Sequence, residues 1–229
     1  MKIAIHGPAA SGKSTIGYLL AQWLHYLYFD TGVMYRAVTL DALQNGVDIA
    51  DIEAITRLAE TAIIEVLPPV GQDERQYTVL LNGNDVTWLL RNDDIERNVS
   101  YPSKYPGVRD AMVSQQRRIA ERGNVVMVGR DIGTVVLPDA DLKIYLDASV
   151  EERARRRYNE LITRGEKAIY ADVLASMRQR DLIDSTRQTS PLRPANDAVV
   201  IDSTGRDVND VLTEIKHLVV QHTQIAKMG

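Results

Sequence analysis

The sequence contains no cysteine among its 229 residues. This absence excludes disulfide bonds, thiolate metal sites and a cysteine nucleophile, and it fits an enzyme of the cytosol, where disulfides are rare. Only four histidines occur, and none are spaced as the H-x-x-x-H pair that binds zinc on a helix. The net charge of −4 argues against a nucleic-acid polymer as partner, because such binding needs a broad positive face.

Long apolar runs are also missing from the sequence. No stretch approaches the length of a membrane span, and Met1-Lys2-Ile3 leads into a predicted strand without a signal-peptide pattern. We therefore expect no membrane partner and a cytoplasmic location. A coiled-coil pattern and a sustained apolar surface stripe are absent as well, which favours a monomer.

The stretch from Gly7 to Ser14 reads G-x-x-x-x-G-K-S, the P-loop pattern. It lies between an apolar run at residues 3–5 and an amphipathic run from Ile16 to Leu24, so strand, loop and helix follow in the required order. Glycines allow a tight turn that converges backbone N–H groups on a phosphate, and the helix dipole adds positive potential. We expect Lys13 at the β- and γ-phosphates and the Ser14 hydroxyl at a Mg²⁺ ion. The predicted nucleotide-binding residues are Gly7, Pro8, Ala9, Ala10, Ser11, Gly12, Lys13, Ser14 and Thr15.

Five apolar strands separated by helices predict an α/β fold with a doubly wound, five-stranded parallel sheet. The predicted strands are residues 2–6, 27–29, 125–128, 142–146 and 198–201. The predicted helices are residues 13–24, 34–43, 51–62, 93–98, 108–122, 150–161, 170–183 and 208–220. Residues 63–67, 77–81 and 86–88 depart from this alternation and predict a small inserted antiparallel β unit.

Four polar clusters follow predicted strands or precede predicted helices, which places them at the edge of the sheet where ligands bind. They are Asp30-Thr31-Gly32-x-x-Tyr35-Arg36, Ser100 with Arg109, Arg130-Asp131, and the helical face of Arg180, Asp184 and Arg187. Each alone has an ordinary explanation, such as a helix-stabilising ion pair or a helix cap. Four clusters at one edge indicate a second ligand.

Four stretches of the chain together closely resemble bacterial cytidylate kinases, a family of nucleoside monophosphate kinases. They are the P-loop stretch, residues 30–36, Gly129-Arg130-Asp131-Ile132-Gly133-Thr134-Val135-Val136 and Arg180-Asp181-x-x-Asp184. The resemblance covers nearly the whole chain. It implies an enzyme of pyrimidine metabolism that transfers the γ-phosphoryl group of ATP to CMP or dCMP with Mg²⁺, giving ADP and CDP or dCDP.

The resemblance also implies three parts of the chain. Residues 1–30, 123–150 and 170–229 would form the P-loop core, residues 31–122 a monophosphate-binding region with the insertion at 63–100, and residues 151–169 a short helical lid. The residues expected around CMP are Asp30, Thr31, Tyr35, Arg36, Ser100, Arg109, Arg130, Asp131, Arg180, Asp184 and Arg187. Those expected to catalyse the transfer are Lys13, Arg130, Arg153, Arg157 and Arg187.

The chemistry of cytosine agrees with these roles. A carboxylate such as Asp131, helped by the Ser100 hydroxyl, suits the amino group at C4, and Arg109 offers donors to N3 and O2. Uracil reverses the pattern at C4 and N3, so its rejection should be worth on the order of 1–3 kcal/mol per lost pairing. Asp184 suits a sugar hydroxyl, and Arg36, Arg130 and Arg187 could bind the acceptor phosphate.

Nine arginines lie between Glu151 and Arg193. They fit either a solvated helix face paired with Glu151 and Glu152 or mobile positive charge that closes over the transferred phosphoryl group. We favour the second interpretation, because phosphoryl transfer needs that charge and the exclusion of water.

Two residues depart from the family pattern. His6 stands where an aspartate is expected before the P-loop, so the surroundings of the Mg²⁺ ion stay open. His25 replaces a glycine at the end of the first helix, at a cost of about 1 kcal/mol.

Two alternative functions stay open on the sequence. The first is a P-loop kinase for another small acceptor, such as UMP, dTMP or a metabolite hydroxyl. The second is a GTPase-like switch, which the absence of an N-K-x-D guanine motif disfavours. The preference between CMP and dCMP is also open.

Overall fold

The computed structural model describes residues 1–70, 73–186 and 189–228. These residues form two compact units, residues 1–25 with 126–229 and residues 26–125. The strands are β1 (Lys2–His6), β2 (Leu27–Asp30), β3 (Ile64–Leu67), β4 (Thr78–Leu81), β5 (Asn84–Asp85), β6 (Val125–Gly129), β7 (Leu142–Asp147) and β8 (Val199–Asp202). The helices are α1 (Lys13–Leu24), α2 (Gly32–Gln44), α3 (Ile52–Thr61), α4 (Asp93–Asn98), α5 (Pro106–Ala120), α6 (Val150–Thr163), α7 (Tyr170–Thr186) and α8 (Val208–Met228).

The predicted five-stranded parallel sheet is confirmed, with strand order β2-β6-β1-β7-β8. Ile3 is opposite Leu142 in the parallel pair β1–β7, and Ile144 is opposite Val199 in the parallel pair β7–β8. Residues 125–128 of β6 are all buried, as expected for an inner strand covered by helices on both faces. β8 lies at the edge of the sheet, and there only Ile201 is buried.

Helix boundaries follow local capping chemistry. Asp51 caps α3 as predicted, because its carboxylate accepts the Ala54 N–H at 2.9 Å. α2 begins at Gly32, two residues before the predicted start, where Asp30 Oδ1 accepts the Gly32 N–H at 2.9 Å. His25 ends α1 in the left-handed conformation with φ +55°, as expected for a residue in a glycine position.

The predicted antiparallel unit is also present, as the three-stranded sheet β3-β4-β5. The predicted strand at residues 86–88, however, is wrong. The third strand is only Asn84–Asp85, because the Thr87 hydroxyl accepts the Val79 N–H at 2.9 Å in place of a backbone carbonyl. The chain then turns into a 3₁₀ helix at Leu89–Arg91.

Among the helices of the described residues, none combines the length and the apolarity needed to cross a membrane. The three-part division into core, monophosphate-binding region and lid stays a prediction.

Candidate functional site

The P-loop connects β1 to α1 through residues whose backbone angles favour glycine. Gly7 has φ +149° and Gly12 has φ +94°, and Ala10 adopts φ +57° although it carries a side chain. α1 begins at Lys13 directly after Gly12, and glycine provides no side chain to cap the first N–H groups. The loop therefore presents an uncapped helix N-terminus, which favours an anion.

Side chains of the same unit contact the carbonyl oxygens of the P-loop. Arg130 Nη1 donates to Gly7 O at 3.4 Å, and Arg153 Nη1 donates to Ala9 O at 3.3 Å. Ser203 Oγ lies 3.1 Å from Ser11 O, where it can donate its proton. A peptide group points its N–H away from its carbonyl oxygen. Holding the carbonyls of Ala9 and Ser11 therefore directs the N–H groups of Ala10 and Gly12 away from these side chains, whereas the peptide after Gly7 has no N–H because residue 8 is proline.

Lys13 is buried within the loop that it follows. Its ammonium donates to Pro8 O and lies 3.3 Å from Ser11 Oγ. Ser14 and Thr15 are exposed in the first turn of α1. This arrangement keeps a positive charge beside the loop and leaves two hydroxyl groups accessible at its helix.

A cavity of about 280 Å³ adjoins the P-loop in the same unit. Its lining includes Gly12 and Thr15 of the loop, Arg156 of α6, and Arg206 and Val208 after β8. The sequence reasoning missed this cavity, since Arg206 and Val208 belong to no motif and lie nearly 200 residues from the P-loop.

Arg130 and Asp131 follow β6 as predicted. The Asp131 carbonyl accepts the N–H of Val135 at 2.9 Å, within a π-helical turn at Ile132–Val136 that the sequence did not predict. Such turns are frequent at functional sites. The Asp131 side chain itself is buried.

Helix α7 brings Asp184 to Arg130, with 3.3 Å between Asp184 Oδ2 and Arg130 Nε. This pair joins two of the predicted clusters in one place. Arg180 is exposed on the same helix. Arg187 lies outside the described residues, so its predicted role stays a prediction.

In the unit of residues 26–125, the first polar cluster surrounds the start of α2. Thr31 and Tyr35 are buried, and Arg36 Nη2 pairs with Glu96 Oε1 at 2.7 Å. The buried Arg36 Nε has no hydrogen-bond partner among the described residues. Glu96 of α4 therefore engages Nη2 of this guanidinium and leaves Nε without a protein acceptor among the described residues.

The second cluster of this unit lies between α4 and α5. Arg109 is buried, donates from Nη1 to Ser103 O at 3.2 Å, and lies 5.8 Å from the centre of the Tyr35 ring. Ser100 is exposed. In the same unit, burial, together with the nearby Asp30 carboxylate, raises the pKa of the Tyr77 hydroxyl.

The arginines of the predicted lid have different surroundings. Arg157 is partly exposed and pairs with Glu160 at 3.0 Å between Nη1 and Oε2, and Arg164 pairs with the same carboxylate. Arg153 is only 4% exposed, and Asp181 binds its guanidinium with both carboxylate oxygens. Its predicted role in the transfer stays a prediction, and its contacts suggest a different one.

His6 is fully buried at the end of β1. Its Nε2 accepts the Ala195 N–H at 3.3 Å, and its ring packs edge-on against Tyr145. Burial, helped by the positive charges of Lys13 and Lys143, lowers its pKa to about 4. At neutral pH this position therefore carries a neutral imidazole and no carboxylate.

His6 makes stability depend on pH. Since folding lowers its pKa from 6.5 to about 4, the unfolded chain binds more protons in that interval, and stability is lost as the pH falls through it. Between pH 7.5 and pH 5 we expect this group to remove about 2 kcal/mol from the free energy of unfolding. His6→Gln, which keeps an acceptor for Ala195 and does not titrate, should lack this part of the loss. Urea unfolding of both proteins at both pH values measures the difference.

The matched control is His25→Asn, which removes an exposed histidine and keeps a residue that tolerates the left-handed conformation. It should lose as much stability as the unchanged protein over the same pH interval. Equal losses in the unchanged protein and in His6→Gln would show that His6 does not titrate on folding.

The residues of the site fit a magnesium ion held mainly by its ligand. Within the described residues, no three His, Cys, Asp or Glu side chains are grouped as a protein-only metal site requires. Mg²⁺ commonly binds through one or two protein oxygens together with substrate phosphates and water. The exposed Ser14 hydroxyl beside the P-loop suits such a role.

Comparison with known proteins gives a consistent result. A family model described as cytidylate kinase matches residues 3–221. The cytidylate kinase of Herpetosiphon aurantiacus is 53% identical over 217 residues, covering 95% of this chain and 93% of that protein. The cytidylate kinase of Geobacillus thermodenitrificans is 51% identical over 218 residues, covering 95% of each chain. Among solved structures, an uncharacterised protein from Eubacterium ventriosum shares the fold, with a TM-score of 0.52, 12% identity, and coverage of 96% of this chain and 98% of that one.

Proposed function

The chain belongs to the cytidylate kinase family, and from this membership we propose that it transfers the γ-phosphoryl group of ATP to CMP or dCMP, giving ADP and CDP or dCDP. The observation that supports the ATP part most directly is the P-loop, whose carbonyls contact side chains while Lys13 lies within it. The G-R-D stretch and its pairing with α7 support the acceptor part.

The donor triphosphate would bind to residues 7–15. The loop N–H groups and the helix N-terminus would bind its phosphate oxygens, and Lys13 would neutralise the β- and γ-phosphates. We propose that its base and ribose occupy the adjoining cavity of about 280 Å³, since Gly12 and Thr15 line both the loop and the cavity. A volume of this size suits a nucleoside.

For the acceptor, Asp131 and Ser100 would accept from the amino group of cytosine, and Arg109 would donate to N3 and O2. Asp184 would bind a sugar hydroxyl. Arg36, with its unpartnered Nε, and Arg130 would bind the monophosphate. The remaining proposed acceptor residues are Asp30, Thr31, Tyr35, Arg180 and Arg187.

The transfer itself needs positioning and charge rather than a covalent enzyme intermediate. Lys13, Arg130 and Arg187 would stabilise the negative charge on the transferred group. Arg157 would join them by leaving Glu160, with which it forms a partly exposed ion pair of small energy. The Ser14 hydroxyl would hold a Mg²⁺ ion, which would supply positive charge against the phosphates.

A panel of acceptors tests the proposed function. With ATP and Mg²⁺ fixed, ADP release is measured for CMP, dCMP, UMP, dTMP, AMP and no acceptor. CMP or dCMP should exceed UMP by at least ~30-fold in kcat/KM, because two lost pairings with the base cost about 2 kcal/mol or more. A faster rate with UMP or dTMP would favour the alternative acceptor, and release without any acceptor would favour a hydrolase.

We also propose that the enzyme works as a monomer in the cytosol, where its substrates ATP and CMP occur. The sequence lacks a coiled-coil pattern and a sustained apolar surface stripe, which supports this proposal. Light scattering of the purified protein at the concentration used for the assay measures the oligomeric state.

A further inference from the structure

Asp181 belongs to the R-D-x-x-D stretch of α7, yet the proposed reaction gives it no role. Its carboxylate binds Arg153 of α6 through two parallel hydrogen bonds, with 3.0 Å between Oδ1 and Nη1 and 2.6 Å between Oδ2 and Nη2. Bidentate arginine–carboxylate pairs fix orientation as well as distance. Arg153 is therefore held in one position by α7.

The same guanidinium contacts two further segments of the chain. Nε donates to Ala148 O at 2.9 Å, immediately before α6, and Nη1 donates to Ala9 O of the P-loop at 3.3 Å. Ala9, Ala154 and Met177 form a buried apolar cluster of the loop, α6 and α7. The arginine thus links the P-loop to two helices from a buried position.

The contact with Ala9 O determines where the next N–H points. In a trans peptide the carbonyl of Ala9 and the N–H of Ala10 point in opposite directions. Ala10 has φ +57°, a conformation that a residue with a side chain adopts only when its surroundings hold it there. Arg153 contacts this peptide through Ala9 O, so the Ala10 N–H points away from the guanidinium.

We propose that Asp181 is a positioning residue for ATP: it orients Arg153 so that the P-loop peptide between Ala9 and Ala10 presents its N–H to the donor phosphates. The proposal rests on the proposed function, because it assumes that the triphosphate binds at this loop. It also assigns Arg153 to holding the loop instead of contacting the transferred group.

The test is the affinity for ATP and for CMP of the variant Asp181→Asn. An amide in this position faces the guanidinium with an NH₂ group, so one of the two hydrogen bonds is lost. By isothermal titration without the second substrate, we expect the Kd of ATP to rise roughly tenfold and the Kd of CMP to change less than twofold. In steady-state kinetics the KM of ATP should rise while the KM of CMP stays constant.

Glu151→Gln is the matched control. Glu151 of α6 pairs with Arg178 of α7 at 3.0 Å, so this variant also removes an ion pair between the two helices, but one that is exposed and without contact to the P-loop. It should leave both affinities within twofold. Asp181→Glu keeps the carboxylate and should restore most of the ATP affinity lost in Asp181→Asn.

A folded Asp181→Asn protein with unchanged ATP affinity, or with ATP and CMP weakened equally, overturns the proposal. If that variant does not fold, Arg153→Lys decides by the same measurement, since lysine keeps the charge and loses the fork. The double variant Arg153→Lys, Asp181→Asn should be no weaker than the worse single variant, and additive losses would contradict the linkage. These outcomes differ from failure of the proposed function, which would appear as absent CMP turnover in the unchanged protein.

Discussion

Replacing Lys13 with alanine is expected to lower kcat roughly 10³-fold in the coupled assay of ADP release, because charge that develops on the transferred group loses a preorganised cation. Lys13 is buried within the loop, with its ammonium beside Pro8 O and Ser11 Oγ. No other lysine occurs within residues 7–15. The fold should persist, since α1 and β1 keep their apolar contacts.

Two further variants separate charge from packing. Lys13→Met keeps a long apolar chain without the charge, and it should lose activity as severely as the alanine variant. Lys216→Ala removes a lysine of α8 that lies over the Trp23 ring of α1, away from the residues proposed to act in the transfer. Its kcat should stay within twofold of that of the unchanged protein. A kcat of Lys13→Met within tenfold of that of the unchanged protein would contradict the prediction that Lys13 contacts the phosphates.

Gly7→Ala should be the most damaging conservative substitution in the P-loop. A Cβ at this position would lie 2.2 Å from the Leu146 carbonyl oxygen and 3.1 Å from its carbon, in the backbone of the inner strand β7. The backbone angle of φ +149° is also unfavourable for alanine. We expect a loss of about 3 kcal/mol or more in the free energy of unfolding, because the strain and the clash each cost on the order of 1–3 kcal/mol.

Gly46→Ala measures the cost of a Cβ at a positive φ where the added atom meets no neighbour. Gly46 has φ +65°, and no described atom lies within 4 Å of its added Cβ. Its loss should be about 1 kcal/mol, from the backbone conformation alone. For a chain of this length 1 kcal/mol corresponds to roughly 2–4 °C in the thermal midpoint, so calorimetry resolves the two variants. Similar midpoints would show that the loop adapts to a Cβ at Gly7.

Much of the fold could be predicted because its signals are local. Strand positions were predicted to within a few residues from the apolar runs of β1, β6 and β7. The start of α3 and the end of α1 were predicted from the caps at Asp51 and His25. The strand predicted at residues 86–88 failed because a side-chain hydroxyl of Thr87 took the place of a backbone acceptor. The pattern of apolar residues does not indicate where a side-chain oxygen will accept a hydrogen bond in place of a backbone carbonyl.

The candidate site was predictable where one continuous motif encodes it. The P-loop was predicted from its spacing and Arg130-Asp131 from its place after a strand, and Arg130 lies 3.3 Å from Asp184, while the roles of these residues toward the nucleotides stay predictions. The support of the loop was not predictable, because Ser203 reaches Ser11 over 192 residues and Arg153 reaches Ala9 over 144. A serine after an edge strand and an arginine in a run of arginines have the same sequence pattern whether their side chains contact a P-loop or solvent.

The side chains around the P-loop have a consequence for the energetics of nucleotide binding. Arg130, Arg153 and Ser203 hold its carbonyls through contacts made within the protein alone. The conformational entropy of the loop is thus lost when the chain folds and does not have to be lost again when a triphosphate arrives. A preorganised receptor of this kind binds without an ordering step, so the rate of donor association should be governed by diffusion and charge.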